Sequence, residues 1–390
     1  MKKFNSIIYV NYSPYENSGK ILDYLLENFK YVFLFTLGFH NIKKKGKLNK
    51  LVIFNKGKSE KEYSLFQLSV PQSMLFIMLP LRSLITLSQI IFYSHILQRK
   101  FGVVDIFFSV NAFTSCIGIV LKRLGIVSKT VFWVWDYYPP AHRSRIITLV
   151  RKIYWYFDKW ATASTDRVVV ANERLLRLRQ RIGIIPKKTR IPIISLGTEI
   201  LEVNIKKKRE VILGFIGVIK KSQGLGAVFS SADEIIRNFP DARFEVVGSG
   251  PDEGYFKEQA KNTLLPTTFH GYLEGAAFNN VLKKCTIGIA PYQPDQSNVA
   301  QFGDAGKVKR YLSLGLPVLI TDVFEFSKKV EKSKAGAIIK YGNSKDLIEA
   351  IKKIMNSYKT YQKNSLNLGK KFYYKKIYPE MFKFNIPEQS

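Results

Sequence analysis

Glycines and lysines meet just after apolar runs at several places in this chain. In QFGDAGKVKRYLSLGLPVLIT, residues 301–321, Gly303, Asp304, Gly306 and Lys307 precede a short helical segment. An apolar run containing Gly315 and Pro317 follows at once. Related loops are GVIKKSQG (217–224), with Gly217, Lys220 and Lys221; VGSGP (247–251), with Gly248 and Gly250; and GYLEG (271–275), with Tyr272 and Glu274. The segment PYQPDQSNVAQFGDAGK (291–307) starts beside Tyr292 and runs into the first stretch. Glycine turns leave backbone N–H groups uncovered, and a helix N-terminus adds partial positive charge. Lysines beside such turns complete a cradle for a diphosphate. A single loop of this kind is most often only a turn. Four on one rim, with lysines at two of them, point to a phosphate-bearing ligand.

Such loops need a sheet to hold them. The run VILGFIGV (211–218) predicts a buried parallel strand, and LGAVFSSADEIIRNF (225–239) a helix with Val228, Ala232, Ile235 and Ile236 on one face, ending before Pro240. Strands are predicted at 242–250, 267–272, 286–292, 316–322 and 336–341. Helices are predicted near 252–262, over 275–285, and over 344–357 from a serine cap. The first half alternates less cleanly, with strands expected at 6–12, 31–37, 50–55, 103–110, 129–136 and 166–172. This alternation predicts doubly wound α/β sheets, which bind ligands beyond the carboxyl ends of their strands. At 390 residues, two domains are expected. Apolar periodicity fades and charge rises over 195–210, so the domains are placed at 1–195 and 211–357 with a linker at 196–210. Residues 358–390 form a tail expected to pack back towards the first domain. Two such halves facing across a cleft predict a small-molecule site between them.

The formal charge of +31 gathers in runs such as KKKGK (43–47), RLLRLRQR (174–181), KKKR (206–209) and KKFYYKK (370–376). A surface of this sign attracts sugar nucleotides, lipid headgroups or nucleic acid, although much of it is a solvated lysine face. No recognised nucleic-acid motif accompanies the charge. A hydrophobic content of 46% argues against wholesale disorder. Cys116 and Cys285 sit far apart in apolar contexts and read as reduced core residues of a cytoplasmic protein. Neither they nor the four histidines show metal-ligand spacing, so no metal site is expected. The start MKKFNSIIYVNY does not read as a secretory leader, because its apolar run is too short. Pro80 and Arg82 interrupt the apolar stretch 69–97, which predicts a buried or interfacial helix rather than a spanning one.

The second half resembles the retaining glycosyltransferases of family 4. The resemblance rests on FIGVIKKSQGL (215–225), FEVVGSGP (244–251), FHGYLEG (269–275), LKKCTIGIAPY (282–292) and GKVKRYLSLGLPVLITD (306–322), with SLGTE (195–199) before them. The first half is similar only through DIFFSVNAF (105–113) and VFWVWDYYPP (131–140). The resemblance implies a GT-B fold of two Rossmann-like domains. It implies transfer of a sugar from a UDP- or GDP-linked donor to a glycan or lipid-linked acceptor, with retention and without metal or cofactor. Donor-side residues would be Gly217, Lys220, Lys221, Gly248, Gly250, Tyr272, Glu274, Tyr292, Gly303, Asp304, Gly306 and Arg310, with Lys307 and Asp136 catalytic. On the acceptor side, Asp136 ends an apolar strand before a Pro-Pro turn, and Asn11, Asn17 and Ser18 lie in the first loop.

The chain also departs from that family. Val218 and Gln223 stand where relatives have an arginine and a lysine, and Lys220 or Lys221 would substitute. Phe302 and Arg310 stand where many relatives have two glutamates. Either Asp304 and backbone groups replace the ribose carboxylate, or nucleotide binding is lost and the chain is a non-catalytic GT-B partner subunit. The basic surface and RKIYWYFDKW (151–160), where Tyr156 and Trp160 share a helical face, raise a second expectation. That segment is either core packing or an interfacial helix of a protein held peripherally at the anionic inner face of the membrane.

Overall fold

The computed structural model describes residues 4–12, 16–38, 49–71, 74–135, 137–139, 144–201, 210–294 and 299–384. The chain forms two units, one of residues Met1–Leu196 with Ile377–Ser390, the other of residues Gly197–Lys376.

The first unit is built on seven strands: β1 (Ser6–Tyr12), β2 (Tyr31–Leu37), β3 (Lys50–Asn55), β4 (Lys58–Ser64), β5 (Val104–Ser109), β6 (Val127–Val134) and β7 (Arg167–Val170). Their order is β4-β3-β2-β1-β5-β6-β7. The five from β2 to β7 run parallel, while β3 and β4 are antiparallel additions at one edge. Strand β4, KSEKEYS, is absent from the sequence-based expectation because it buries no apolar face. It forms because Lys56 and Gly57 adopt positive φ values of 47° and 77°, the turn that folds β3 back on itself. Its charges also protect the sheet edge from further pairing.

The apolar stretch at 69–97 contributes a single helix, Leu79–Phe101. Pro80 does not break it. It occupies the first turn, where its missing N–H is not needed. Arg82 is buried and donates from Nη2 to the Gly38 carbonyl at 3.1 Å. Among the described residues no helix is long and apolar enough to cross a membrane. The helix Ala112–Arg123 is buried on almost every side, between Leu79–Phe101 and Arg145–Ser164. Near the end of the chain, Tyr378 and Phe382 insert among Tyr24, Phe29, Phe108 and Trp133 of this unit.

The second unit has six parallel strands: β8 (Ile212–Ile216), β9 (Arg243–Val247), β10 (Thr267–Phe269), β11 (Ile287–Ala290), β12 (Val318–Ile320) and β13 (Gly336–Ile338). Their order, β10-β9-β8-β11-β12-β13, means the chain winds outward from β8, then returns to the other side with β11. The loops after β8 and β11 therefore diverge, and a crevice opens between them. The expected helix 225–239 is two helices, Leu225–Phe229 and Ala232–Asn238. The Ser230 and Ser231 hydroxyls both turn back to the Ala227 carbonyl at the junction. The last predicted helix is capped by Asn343, whose side chain accepts from the Asp346 N–H, rather than by Ser344. Residues 197–201 lie with this unit, where Thr198 bridges to Tyr373, while 202–209 of the expected linker lie outside the described residues. The helix Tyr358–Lys370 packs on the helix Gly306–Ser313 of the same unit, and only residues from Ile377 onward group with the first.

Candidate functional site

The crevice between β8 and β11 is closed at its base by Tyr311. Its hydroxyl accepts from the Ile216 N–H at 2.8 Å and donates to the Ile289 carbonyl at 3.2 Å, joining the two strand ends. One helical turn earlier on the same face stands Lys307. Its Nζ lies 4.3 Å from the centre of the Phe215 ring and 4.4 Å from that of Tyr292. It donates to Gln223 Oε1 at 2.7 Å. A Cβ at Gly217 would come within 3.3 Å of it, so the amine sits directly beneath the first glycine loop. Desolvation of the amine of this half-buried residue pushes its pKa down to about 7. Two aromatic faces and one amide oxygen only partly replace the lost water.

The glycine loops do something other than expected. Gly217 and Gly248 have φ values of 130° and 140°. Their N–H groups are not uncovered: Gly217 donates to the Val247 carbonyl at 3.0 Å and Gly248 to the Gly271 carbonyl at 2.7 Å. A Cβ on Gly248 would lie 1.9 Å from the Gly217 carbonyl oxygen, and one on Gly250 would lie 2.1 Å from that of Ile219. These glycines let two loops stack backbone on backbone as the floor of the crevice. Lys220 is exposed. Lys221 turns aside, its Nζ 4.5 Å from the Tyr255 ring and its N–H bonded to Asp252.

Asp304 is tied to a neighbouring side chain. It pairs with Lys309, both side chains buried, in a pocket walled by Phe372 and Phe326 with ring centres 4.9 and 5.9 Å from the amine. Burial lowers the Lys309 pKa, and the Asp304 charge opposes that shift. Arg310 is held by Glu199 and Asn279 and lies over the Phe278 ring at 5.5 Å. The carboxylate beside position 310 is thus Glu199, 111 residues away in sequence, and no local pattern marks the pairing. Tyr292 is buried, whereas Tyr272 and Glu274 are exposed and hydrogen-bonded to each other. Gly306 opens the helix Gly306–Ser313, with Gly303 half-buried just before it.

In the first unit the expected acceptor-side residues have local partners. Asn11 is buried and donates to the Tyr9 hydroxyl. Asn17 exchanges bonds with Asp23, accepting from its N–H at 3.2 Å and donating to its carboxylate at 2.9 Å, which fixes the start of the helix Ile21–Asn28. Ser18 begins the short turn before that helix. Asp136 lies outside the described residues. In the same unit a cavity of about 20 Å³ opens at the carboxyl ends of β5 and β6, lined by Asn111, Trp135, Tyr154, Asp158 and Arg179 among others. Arg179 makes a buried two-pronged pair with Asp158 at 2.7 and 2.9 Å and donates to Thr162 at 2.7 Å. Among the described residues, no cluster of three or more His, Cys, Asp or Glu is arranged to hold a metal.

The sequence model of the family described as "Glycosyl transferases group 1" matches residues 198–370, most of the second unit. No curated protein matches the sequence. Sucrose-phosphate synthase from Thermosynechococcus elongatus is 15% identical over 97% of both chains, with a TM-score of 0.67. Anabaena HepE, solved with UDP and glucose, is 14% identical over 96% of this chain and 97% of its own, with a TM-score of 0.59. A variant of S. aureus TarM, solved with fondaparinux, alpha-GlcNAc-glycerol and UDP, is 15% identical over 75% of this chain, with a TM-score of 0.56. The match spans 58% of TarM. At these identities the likeness defines the fold, which is GT-B, with two Rossmann-like α/β domains.

Proposed function

We propose that this protein is a glycosyltransferase that moves a sugar from a nucleotide diphosphate donor to an acceptor hydroxyl. The observation that carries the reading is Lys307, a desolvated amine beneath a glycine loop in the crevice where an α/β sheet binds its ligand. The chemistry requires stabilisation of negative charge that grows on the leaving diphosphate. A buried ammonium and the N-terminus of the helix Gly306–Ser313 supply it without a metal. Gly217, Gly248 and Gly250 shape the floor, and Lys220 stands at the exposed rim. Asp136 orients the acceptor hydroxyl, and the sugar is transferred with retention. The family match over the second unit, and the UDP and sugar complexes of HepE and TarM, support this reading. The acceptor is a glycan or a lipid-linked precursor presented at the cytoplasmic membrane face.

The test is a thermal-shift screen against UDP, GDP, ADP and their common sugars. One nucleotide should raise the melting temperature by several degrees, and Lys307→Ala should abolish that shift and all transfer. No shift with any nucleotide, and no donor hydrolysis, would overturn the proposal. The ties of Arg310 to Glu199 and of Asp304 to Lys309 favour a second reading, a non-catalytic GT-B partner subunit. It predicts no nucleotide binding and a co-purifying protein.

A further inference from the structure

The apolar arc of the helix Arg145–Ser164 runs from its buried side onto its exposed side. On the inner face Phe157 meets Phe113, with ring centres 5.4 Å apart, and its carbonyl accepts from the Cys116 thiol. On the outer face Ile146, Leu149, Ile153 and Tyr156 are 47%, 60%, 47% and 77% exposed. Spacings of three and four residues put them in one stripe. At roughly 100° per residue, Arg145, Lys152 and Lys159, each seven apart and each exposed, form a row along the border of that stripe. The one carboxylate of the helix, Asp158, faces inward to Arg179. The outward surface is therefore apolar and cationic, with no acidic residue.

An ordinary surface helix turns a single apolar stripe inward and a polar face outward. An apolar arc that continues onto the exposed side beside a cationic row has the composition of a helix lying in a bilayer interface. Its aliphatic side chains would enter the acyl boundary and its lysines would meet lipid phosphates. The helix Leu79–Phe101, packed on the other side of the buried helix Ala112–Arg123, exposes Leu81, Leu84, Phe92 and Ile96 as well. A second copy of the chain is a poor occupant, because a self-interface would bring like-charged lysine rows together. We propose that the outer face of the helix Arg145–Ser164 docks the protein on an anionic lipid surface. This rests on the reading that the acceptor is presented at a membrane, and it names the surface that reaches it.

The test is co-sedimentation of the full chain with phosphatidylcholine vesicles, with and without about one-third phosphatidylglycerol. The protein should sediment with the anionic vesicles and be released as salt is raised. The double variant Leu149→Ser with Tyr156→Ser should lose binding about tenfold or more, and so should Lys152→Glu with Lys159→Glu. Both should keep the wild-type melting temperature and the nucleotide-induced thermal shift. Wild-type protein that stays in the supernatant with anionic vesicles overturns the proposal, as does a variant that binds them undiminished. A wild-type dimer that Leu149→Ser with Tyr156→Ser converts to monomer on size exclusion also overturns it, making the face a self-interface. Wild-type protein that shows the nucleotide shift but does not bind the vesicles refutes only the docking surface. The opposite pattern refutes only the transferase reading.

Discussion

Lys307 makes the sharpest prediction, because its burial links nucleotide binding to protons. In the free protein its pKa is held down at about 7 by desolvation. Relative to the ordinary 10.5, that corresponds to a burial penalty of up to about 5 kcal/mol for keeping the amine charged below pH 7. Between pH 7 and 10.5 the unfolded chain binds more protons than the folded one, so the stability of the free protein rises with pH across that window. A diphosphate against Nζ favours the charged form, so the complex holds a proton that much of the free protein lacks. At pH 8 about nine-tenths of free molecules carry a neutral amine, and binding should take up about 0.9 proton per nucleotide. Affinity should fall about tenfold per pH unit above 7. Isothermal titration calorimetry in two buffers of different ionisation enthalpy reads the proton count directly. Lys307→Met removes the charge and nearly preserves the volume, so its two effects have opposite signs. The free protein at pH 6 should melt higher, while nucleotide affinity should drop roughly 10- to 100-fold, the worth of a charge-assisted bond. No proton uptake at pH 8, or a destabilised Lys307→Met protein that binds nucleotide normally, would refute the reasoning.

Gln223→Leu removes the side-chain acceptor that holds the Lys307 amine, so nucleotide affinity should fall about tenfold and its pH dependence should move to lower pH, both read by calorimetry. Gly248→Ala drives a methyl group into the Gly217 carbonyl at φ 140° and should lower stability by more than about 3 kcal/mol in urea denaturation. Asp158→Ala leaves the Arg179 charge buried alone and should cost about 3–5 kcal/mol, most of it recovered by adding Arg179→Met. Arg310→Glu sets a carboxylate against Glu199 and should lower the melting temperature, and adding Glu199→Arg should restore it in a double-mutant cycle.

The sequence showed the second unit well, because strands such as β8, β11 and β12 are short apolar runs separated by turn and helix signals. Only their ends shrank, as with β12, which spans Val318–Ile320 inside the predicted 316–322. Strand β4 escaped notice because an exposed edge strand has no apolar signature and is held by a turn. Lys307 was legible as a lysine at a helix start beside small residues. That Gln223 holds it, and that Phe215 and Tyr292 enclose it, was not, since those contacts join residues up to 92 positions apart through the sheet. The expected bare N–H groups of Gly217 and Gly248 are instead bonded to the Val247 and Gly271 carbonyls. Composition cannot tell a glycine that bares its N–H to a ligand from one that admits a neighbouring backbone. Spacing puts Asp304 close to the crevice, but only packing shows that Lys309 pairs with its carboxylate.

The return of Tyr378 and Phe382 to the first unit has a consequence for how the chain comes to exist. These two rings fill a gap among Tyr24, Phe29, Phe108 and Trp133, yet they are translated only after the 180 residues Gly197–Lys376. At ribosomal elongation rates that interval is roughly 10 to 40 s. For that time the nascent first unit carries an aromatic cavity open to water while the second unit is still emerging. The order of synthesis and the order of completion are therefore reversed: the unit made first is the one finished last.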